Sequence, residues 1–130
     1  MLPCPARRFV VRSCSSVQEC FDMRIFSCPY LKGEVELTDE RQAHVAHTHP
    51  DLLPEYLAQI GQTLANPDQV RRSVPMSTAR LFYHWFKDVR RGKYIAVVVV
   101  SEATPTVRHW IITAYITRRV ANGEVEWTRN

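Results

Sequence analysis

The run Ile95-Ala96-Val97-Val98-Val99-Val100 limits the fold of this chain more than any other part of the sequence. Valine and isoleucine favour extended backbone, because their branched side chains fit a pleated surface. Successive side chains of a strand point to opposite faces, so a run that is apolar at every position is apolar on both faces. The run therefore predicts that residues 94–100 form a central strand.

The segments on either side of this run also favour strands. Aromatic and β-branched residues dominate them after Asp68, with turn signals at Pro75 and Gly92 and a loop over residues 101–106. The predicted strands of this half cover residues 69–74, 79–87, 94–100 and 108–117.

The last of these strands alternates well enough for its faces to be assigned. One set is predicted to lie under the helices: Trp110, Ile112, Ala114 and Ile116. The other set is predicted to line an open, more polar face: His109, Ile111, Thr113, Tyr115 and Thr117.

Two helices are predicted before this sheet. The first follows an N-cap at Thr38 or Asp39 and ends near Thr48, because a residue before proline disfavours α backbone. The second opens at Pro54 and ends at Asn66-Pro67. Its apolar stripe comprises Leu53, Leu57, Ile60 and Leu64.

Residues 1–22 show no sustained periodicity and are predicted to be an extension of the folded domain. Short strands are predicted at 24–26 and 34–37. Residues 23–130 are then one α+β domain, in which two N-terminal helices pack on a four-stranded, or slightly larger, antiparallel sheet.

The charge is divided unevenly along a chain of formal net charge +4. Residues 34–55 contain six acidic residues and one basic residue, whereas residues 69–93 contain seven basic residues and one acidic residue. A basic second half favours a polyanionic partner.

The four cysteines are Cys4, Cys14, Cys20 and Cys28, and none belongs to a C-x-x-C pair. We interpret them as reduced thiols, because zinc sites and disulfide frameworks use other spacings. No apolar stretch approaches a signal or membrane-spanning length, so a cytoplasmic protein with no membrane partner is predicted.

His44, His47 and His49 cluster at the end of the first predicted helix. Their spacing does not match H-E-x-x-H, so we predict no metal site. A structural role at the helix terminus and a role for His44 as a general acid or base both stay open. The chain has four glycines and no phosphate-binding loop, so no small-molecule cofactor is predicted.

A basic and aromatic set lies on or directly beside the predicted strands: Arg80, Tyr83, His84, Lys93, His109, Thr113 and Tyr115. Arginine and lysine contact phosphates, and exposed aromatic rings stack on unpaired bases. The alternative is that the aromatics are core and the arginines a solvated face.

The order of several short motifs resembles small phage and bacterial proteins of the barnase/EndoU/colicin/RelE superfamily of metal-independent ribonucleases. These motifs are Leu37-Thr38-Asp39-Glu40-Arg41, His44, His49-Pro50, Asn66-Pro67-Asp68, Arg80-Leu81-Phe82-Tyr83, the valine strand and Thr113-Ala114-Tyr115. The resemblance implies a RelE-like fold, with catalysis on the face that the helices leave open. It implies four catalytic candidates, namely His44, Arg80, Thr113 and Tyr115.

The leading hypothesis is a metal-independent endoribonuclease, toxin-like in character, that cleaves RNA by transesterification at a 2′-hydroxyl. Tyr115 or His44 would transfer protons, Arg80 would stabilise the phosphorane and Thr113 would donate a positioning hydrogen bond. The nucleic-acid-binding candidates are Arg71, Arg72, Tyr83, His84, Lys93 and His109. The alternatives are a non-catalytic module that binds RNA or protein, and a toxin with a protein target and an antitoxin partner.

Overall fold

The computed structural model describes residues 23–103 and 106–129, so the predicted extension over residues 1–22 lies outside the described residues. The helices are α1 (Asp39–Thr48) and α2 (Leu57–Ala65), and a 3₁₀ turn covers Pro29–Leu31. The strands within the described ranges are β1 (Arg24–Cys28), β2 (Gly33–Leu37), β3 (Gln69–Arg72), β4 (Ala79–Phe86), β5 (Lys93–Glu102), β6 (Arg108–Thr117) and β7 (Glu124–Thr128).

The seven described strands form one mixed sheet in the order β1-β2-β6-β5-β4-β3-β7. Strands β2 and β6 are parallel, and the other neighbouring pairs are antiparallel. The prediction of two N-terminal helices on a four-stranded, RelE-like antiparallel sheet is therefore wrong. The four predicted strands correspond to β3–β6, but the β1–β2 hairpin precedes the helices and joins the sheet beside β6.

The hairpin also contributes to the core, and this burial stabilises its place in the sheet. Val35 and Leu37 of β2 are fully buried, and they pack in the same apolar cluster as the two helices. Strand β7 joins beside β3 with a polar sequence, Glu124-Val125-Glu126-Trp127-Thr128, which carries little of the apolar signal that marks a strand.

The predicted central strand is confirmed. Strand β5 is fourth of the seven described strands, and its residues from Ile95 to Val100 are buried. Its alternate side chains enter two different apolar clusters. The cluster under the helices contains Val97 and Val99 together with Val45, Ile60 and Leu64 of the helices. The cluster on the opposite face, here called the open face, contains Ala79, Leu81, Tyr83, Ala96, Val98 and Val100.

The first helix begins as predicted. The Thr38 hydroxyl accepts a hydrogen bond from the Arg41 amide at 3.2 Å, and Asp39 and Glu40 occupy the first turn. The second helix begins at Leu57 rather than at Pro54, and residues 50–56 before it form turns. Neither helix of the described ranges has the length and apolar character required to cross a bilayer.

A β-bulge in β6 changes which of its side chains face the helices. Val98 lies opposite Thr113 and Val99 lies opposite Ile111, so Ile112 is an extra residue in the strand. The predicted faces of Ala114 and Tyr115 are correct, because these residues follow the bulge.

The predicted faces before the bulge are reversed. Ile111 packs under the helices, whereas Trp110 and Ile112 pack on the open face. His109 lies opposite Ser101, which shares the helix side of β5 with Val99. The open face is consequently not polar throughout, because it carries an apolar cluster of its own.

Candidate nucleic-acid interface

Six cationic side chains lie at one end of the sheet. The pairing of Phe86 with Lys93 and of Tyr94 with Thr117 brings the β4–β5 turn and the residues after β6 to the same end. We call this group the basic end, and it consists of Lys87, Arg90, Arg91, Lys93, Arg118 and Arg119.

The charge of the basic end is not neutralised locally. None of the six side chains enters an ion pair within the part of the chain that the structure describes. Asp88 is the acidic residue of the β4–β5 turn, against four cations from Lys87 to Lys93. The Lys93 ammonium donates a hydrogen bond to the Arg90 carbonyl at 2.9 Å. The basic end is therefore a concentrated positive surface.

The backbone of the β4–β5 turn holds its two arginines outward. Arg90, Arg91 and Gly92 have φ angles of 48°, 68° and 103°, and both arginines are exposed. A Cβ atom on Gly92 would lie 2.6 Å from Cζ2 of Trp85. Glycine at this position thus permits the indole to pack against the turn.

An aromatic group on the open face adjoins the basic end. Trp85 is opposite Tyr94, and their rings meet edge to face with centroids 5.2 Å apart. Tyr83 also contacts Tyr94, at 6.4 Å. The Trp85 side chain is 44% exposed, so part of a large aromatic surface is open to solvent beside the cations.

Two tyrosines occupy the middle of the open face. Tyr83 is 1% exposed, and its buried hydroxyl lies beside that of Tyr115 without a hydrogen bond of good geometry among the described residues. Burial raises the pKa of Tyr83. The Tyr115 hydroxyl accepts a hydrogen bond from the Asn122 amide at 3.1 Å, and the Tyr115 ring lies 6.1 Å from that of His49. Arg71 donates to the Gly123 carbonyl at 3.2 Å on the same face.

Arg80 lies on the other side of the sheet, in a network around Glu126. Its Nε donates to Glu126 Oε2 at 2.9 Å, Arg72 donates to Oε1 at 3.1 Å, and the Tyr30 hydroxyl also donates to Oε2. Burial alone would raise the pKa of Glu126, but the hydrogen bonds from Tyr30 and Arg80 lower it. Burial and Glu126 raise the pKa of Tyr30 to about 12. Arg80 therefore stabilises a carboxylate of its own chain.

The histidines of the strands are also engaged. His109 is buried, and its Nδ1 lies 2.7 Å from the Ser101 hydroxyl. Burial and the Arg80 charge lower the pKa of His109. His84 has its Nδ1 2.7 Å from the Asn66 carbonyl and its ring 4.5 Å from that of Phe86.

The predicted catalytic residues do not meet in one place. Thr113 and Tyr115 lie on the open face, Arg80 on the helix side, and His44 on an exposed position of α1. The histidine that contacts Tyr115 is His49. No set of three or more His, Cys, Asp or Glu side chains arranged for a metal ion occurs in residues 23–103 or 106–129.

The predicted nucleic-acid contacts divide in the same way. Arg71 and Tyr83 lie on the open face, Lys93 lies at the basic end, and the remaining three face the helix side, namely Arg72, His84 and His109. Sequence reasoning omitted several site residues, namely Trp85, Lys87, Arg90, Arg91, Arg118 and Arg119. The available signal was two Arg-Arg pairs, Arg90-Arg91 and Arg118-Arg119, each in the connection that follows a predicted strand.

Comparisons with family models, with curated proteins and with solved structures found no match to this chain. The resemblance to the ribonuclease superfamily stays a prediction.

Proposed function

We propose that this protein binds single-stranded RNA across the basic end and the adjoining part of the open face. The observation that carries the proposal is the combination of six cations, unpaired within the described residues, with the half-exposed Trp85 ring beside them. Phosphates attract the cations, and a base that has left its helix can stack on the indole.

The shape of the surface favours a single strand over a duplex. The interface is the end of a sheet with short turns, and it presents neither a helix nor a long ribbon that could enter the major groove of DNA. Recognition by stacking needs unpaired bases, which single-stranded RNA offers.

The binding test uses a fluorescein-labelled single-stranded RNA of about a dozen nucleotides, within the usual site size of such surfaces. Fluorescence anisotropy is measured for the wild type and for the Arg90→Gln/Arg91→Gln variant. Arg24→Gln/Lys32→Gln is the matched control, because it removes the same charge from the β1–β2 hairpin.

We expect the Arg90/Arg91 variant to bind at least roughly tenfold more weakly, because it loses two phosphate contacts. Trp85→Ala should weaken binding by roughly tenfold as well, through lost stacking. Equal losses in the control variant, or wild-type affinity in the Arg90/Arg91 variant, would refute this interface. Equal affinity for duplex DNA would refute the preference for a single strand.

The second candidate is metal-independent cleavage of the bound RNA, and the contact between His49 and Tyr115 favours it. An imidazole and a phenol are suited to proton transfer at a 2′-hydroxyl and at the leaving oxygen. Both groups lie on or beside the open face, on which Trp85 also lies.

Cleavage is tested with the same RNA in the presence of EDTA. Tyr115→Phe and His49→Gln should each lower the cleavage rate by roughly 100-fold with affinity unchanged. His47→Gln is the control, because His47 is an exposed residue in the last turn of α1, the helix that has His49 as its C-cap. If the RNA binds but stays intact, the cleavage proposal is refuted and the protein is a binding module.

A further inference from the structure

Strand β7 ends the sheet on one side. It pairs with β3 through one edge, and no strand of the described ranges pairs with its other edge. An open edge offers a row of backbone donors and acceptors to a further strand. The identity of that strand can be argued from the residues of β7 itself.

The exposed side chains of β7 and of the neighbouring connection include large apolar groups, whereas strand edges that face solvent usually carry charged side chains. Val125 of β7 is 56% exposed and Trp127 is 38% exposed. Val74 and Met76, in the connection that leaves β3, are exposed as well. Of the eight large apolar side chains exposed among the described residues, four thus belong to β7 and this neighbouring connection.

A bulge determines which face each β7 residue occupies. Arg71 lies opposite Val125 and Val70 lies opposite Trp127, so Glu126 is an extra residue. As a result, two consecutive residues, Glu126 and Trp127, both lie on the helix side, where Glu126 contacts Arg80 and Trp127 contacts Tyr30.

The neighbours of this bulge can be assigned to faces in the same way. Val125 and Thr128 lie opposite Arg71 and Gln69, whose β4 partners belong to the open face, so both lie on that face. Glu124 lies opposite Arg72 on the helix side. The Arg129 side chain bonds to Asn66 and Pro67, after α2, and forms an ion pair with Asp68 at 3.4 Å, all on the helix side.

We propose that β7 pairs antiparallel with β7 of a second copy, with the two-fold axis between Glu126 and Trp127. This register places Glu124 opposite Arg129 of the second copy, Val125 opposite Thr128, and Glu126 opposite Trp127. Each pair then joins residues of one face, and the outer pairs join opposite charges, which stabilises cross-strand neighbours. A two-fold axis also produces each contact twice.

Neighbouring registers fit less well. If Glu126 faced its own copy, like charges would repel each other, and Val125 on the open face would lie opposite Trp127 on the helix side. If Trp127 faced its own copy, Glu126 on the helix side would lie opposite Thr128 on the open face. The faces of the residues at the bulge and the charges of the strand therefore favour the same register. They favour a second copy of this chain as the partner.

The test is disulfide trapping in the full chain, with Cys4, Cys14 and Cys20 replaced by serine and the buried Cys28 retained. Purified Val125→Cys and Thr128→Cys proteins are oxidised separately and as a mixture. In the proposed register Val125 lies opposite Thr128, and opposed Cβ atoms are close enough for a disulfide. The mixture should therefore form a covalent dimer, and the separate proteins should not.

The mass of the unmodified protein is measured in parallel by sedimentation over a range of concentrations. We expect the wild type to shift from monomer to dimer as its concentration rises. We expect Glu124→Arg to raise the dissociation constant of the dimer at least tenfold, because the substituted side chain would face Arg129 of the other copy at both ends of the paired strands. Glu34→Arg is the control, because this exposed residue lies on β2, at the other side of the sheet. A monomer at every concentration would overturn the proposal, and self-linking of Val125→Cys would overturn the register.

Discussion

Glu126 shows how one residue connects distant parts of this chain. Its carboxylate accepts hydrogen bonds from Tyr30 in the turn after β1, from Arg72 in β3 and from Arg80 in β4. Bonds to a charged, partly buried group are stronger than neutral ones. Glu126 therefore fastens β7 to the sheet, and it removes Arg80 from the cations available to an external phosphate.

Glu126→Gln should lower the free energy of unfolding by about 1–3 kcal/mol, because it leaves Arg72 and Arg80 without their counter-charge. Urea denaturation followed by circular dichroism measures the change. Glu34→Gln is the reference substitution, since Glu34 is exposed on β2, and it should stay within about 0.5 kcal/mol of the wild type. Equal effects of the two substitutions would contradict the role of the Glu126 network.

His109 gives the stability a dependence on pH. Burial and Arg80 lower its pKa in the folded protein, so the unfolded chain binds a proton more readily. The stability contributed by neutral His109 is complete above the ordinary imidazole value of 6.5 and is lost as the pH falls through the lower folded value.

Urea midpoints measured at a series of pH values should therefore decrease below 6.5, and His109→Asn should flatten this decrease. Ser101, Glu36 and Arg80 are the groups that act on this imidazole, and they stay in place in the variant. An unchanged slope in His109→Asn would assign the pH dependence to other groups.

At the scale of elements, the bulge in β6 decides which side chains enter the core. Strict alternation predicts Ile112 under the helices and Ile111 on the open face, whereas the structure shows the reverse. The two residues are neighbours of the same type, and Ile111 is buried whereas Ile112 is partly exposed.

Ile111→Ala should destabilise the fold by about 2–5 kcal/mol, because it leaves a cavity in the core under the helices. Ile112→Ala should cost clearly less, about 1–2 kcal/mol, because solvent already reaches that side chain. The urea midpoints of the two variants provide the measurement. The opposite order of stabilities would mean that Ile112, and not Ile111, packs under the helices, as strict alternation predicts.

The success and failure of sequence-based prediction also follow the elements. Strand β5 could be predicted, because its apolar residues are unbroken, and the start of α1 could be predicted, because the Thr38 cap has a defined chemistry. The mixed sheet could not, since β7 and half of β2 are polar and their pairing depends on distant partners. The bulge at Ile112 cannot be recognised from the local sequence pattern. Because of it, His109 lies on the helix side and not on the predicted open face.

At the scale of the whole molecule, the charges are arranged by position in the fold. The basic end comprises two turns at one end of the sheet, whereas the acidic residues between 34 and 55 lie on β2, on α1 and in the turns before α2. This separation should orient a polyanion toward one end of the protein.

The logarithm of RNA affinity should fall linearly with the logarithm of salt concentration, with a slope no steeper than about −4 if all six cations contact phosphates. Arg90→Gln/Arg91→Gln should make the slope shallower by about 1.4, because two contacts are lost. Anisotropy titrations at several salt concentrations measure both slopes. A slope near zero would mean that the binding is not electrostatic.

The three tryptophans of the chain occupy three separate environments, and each can act as an optical reporter. Trp85 stands beside the basic end, Trp110 lies under the Arg108 guanidinium at 4.9 Å, and Trp127 is on the outer strand β7. A stacked base quenches indole emission, whereas a strand that covers an indole shifts its emission to shorter wavelength. Variants that retain Trp85 or Trp127 alone would thus report nucleic-acid binding and self-association in separate spectra, without any attached dye.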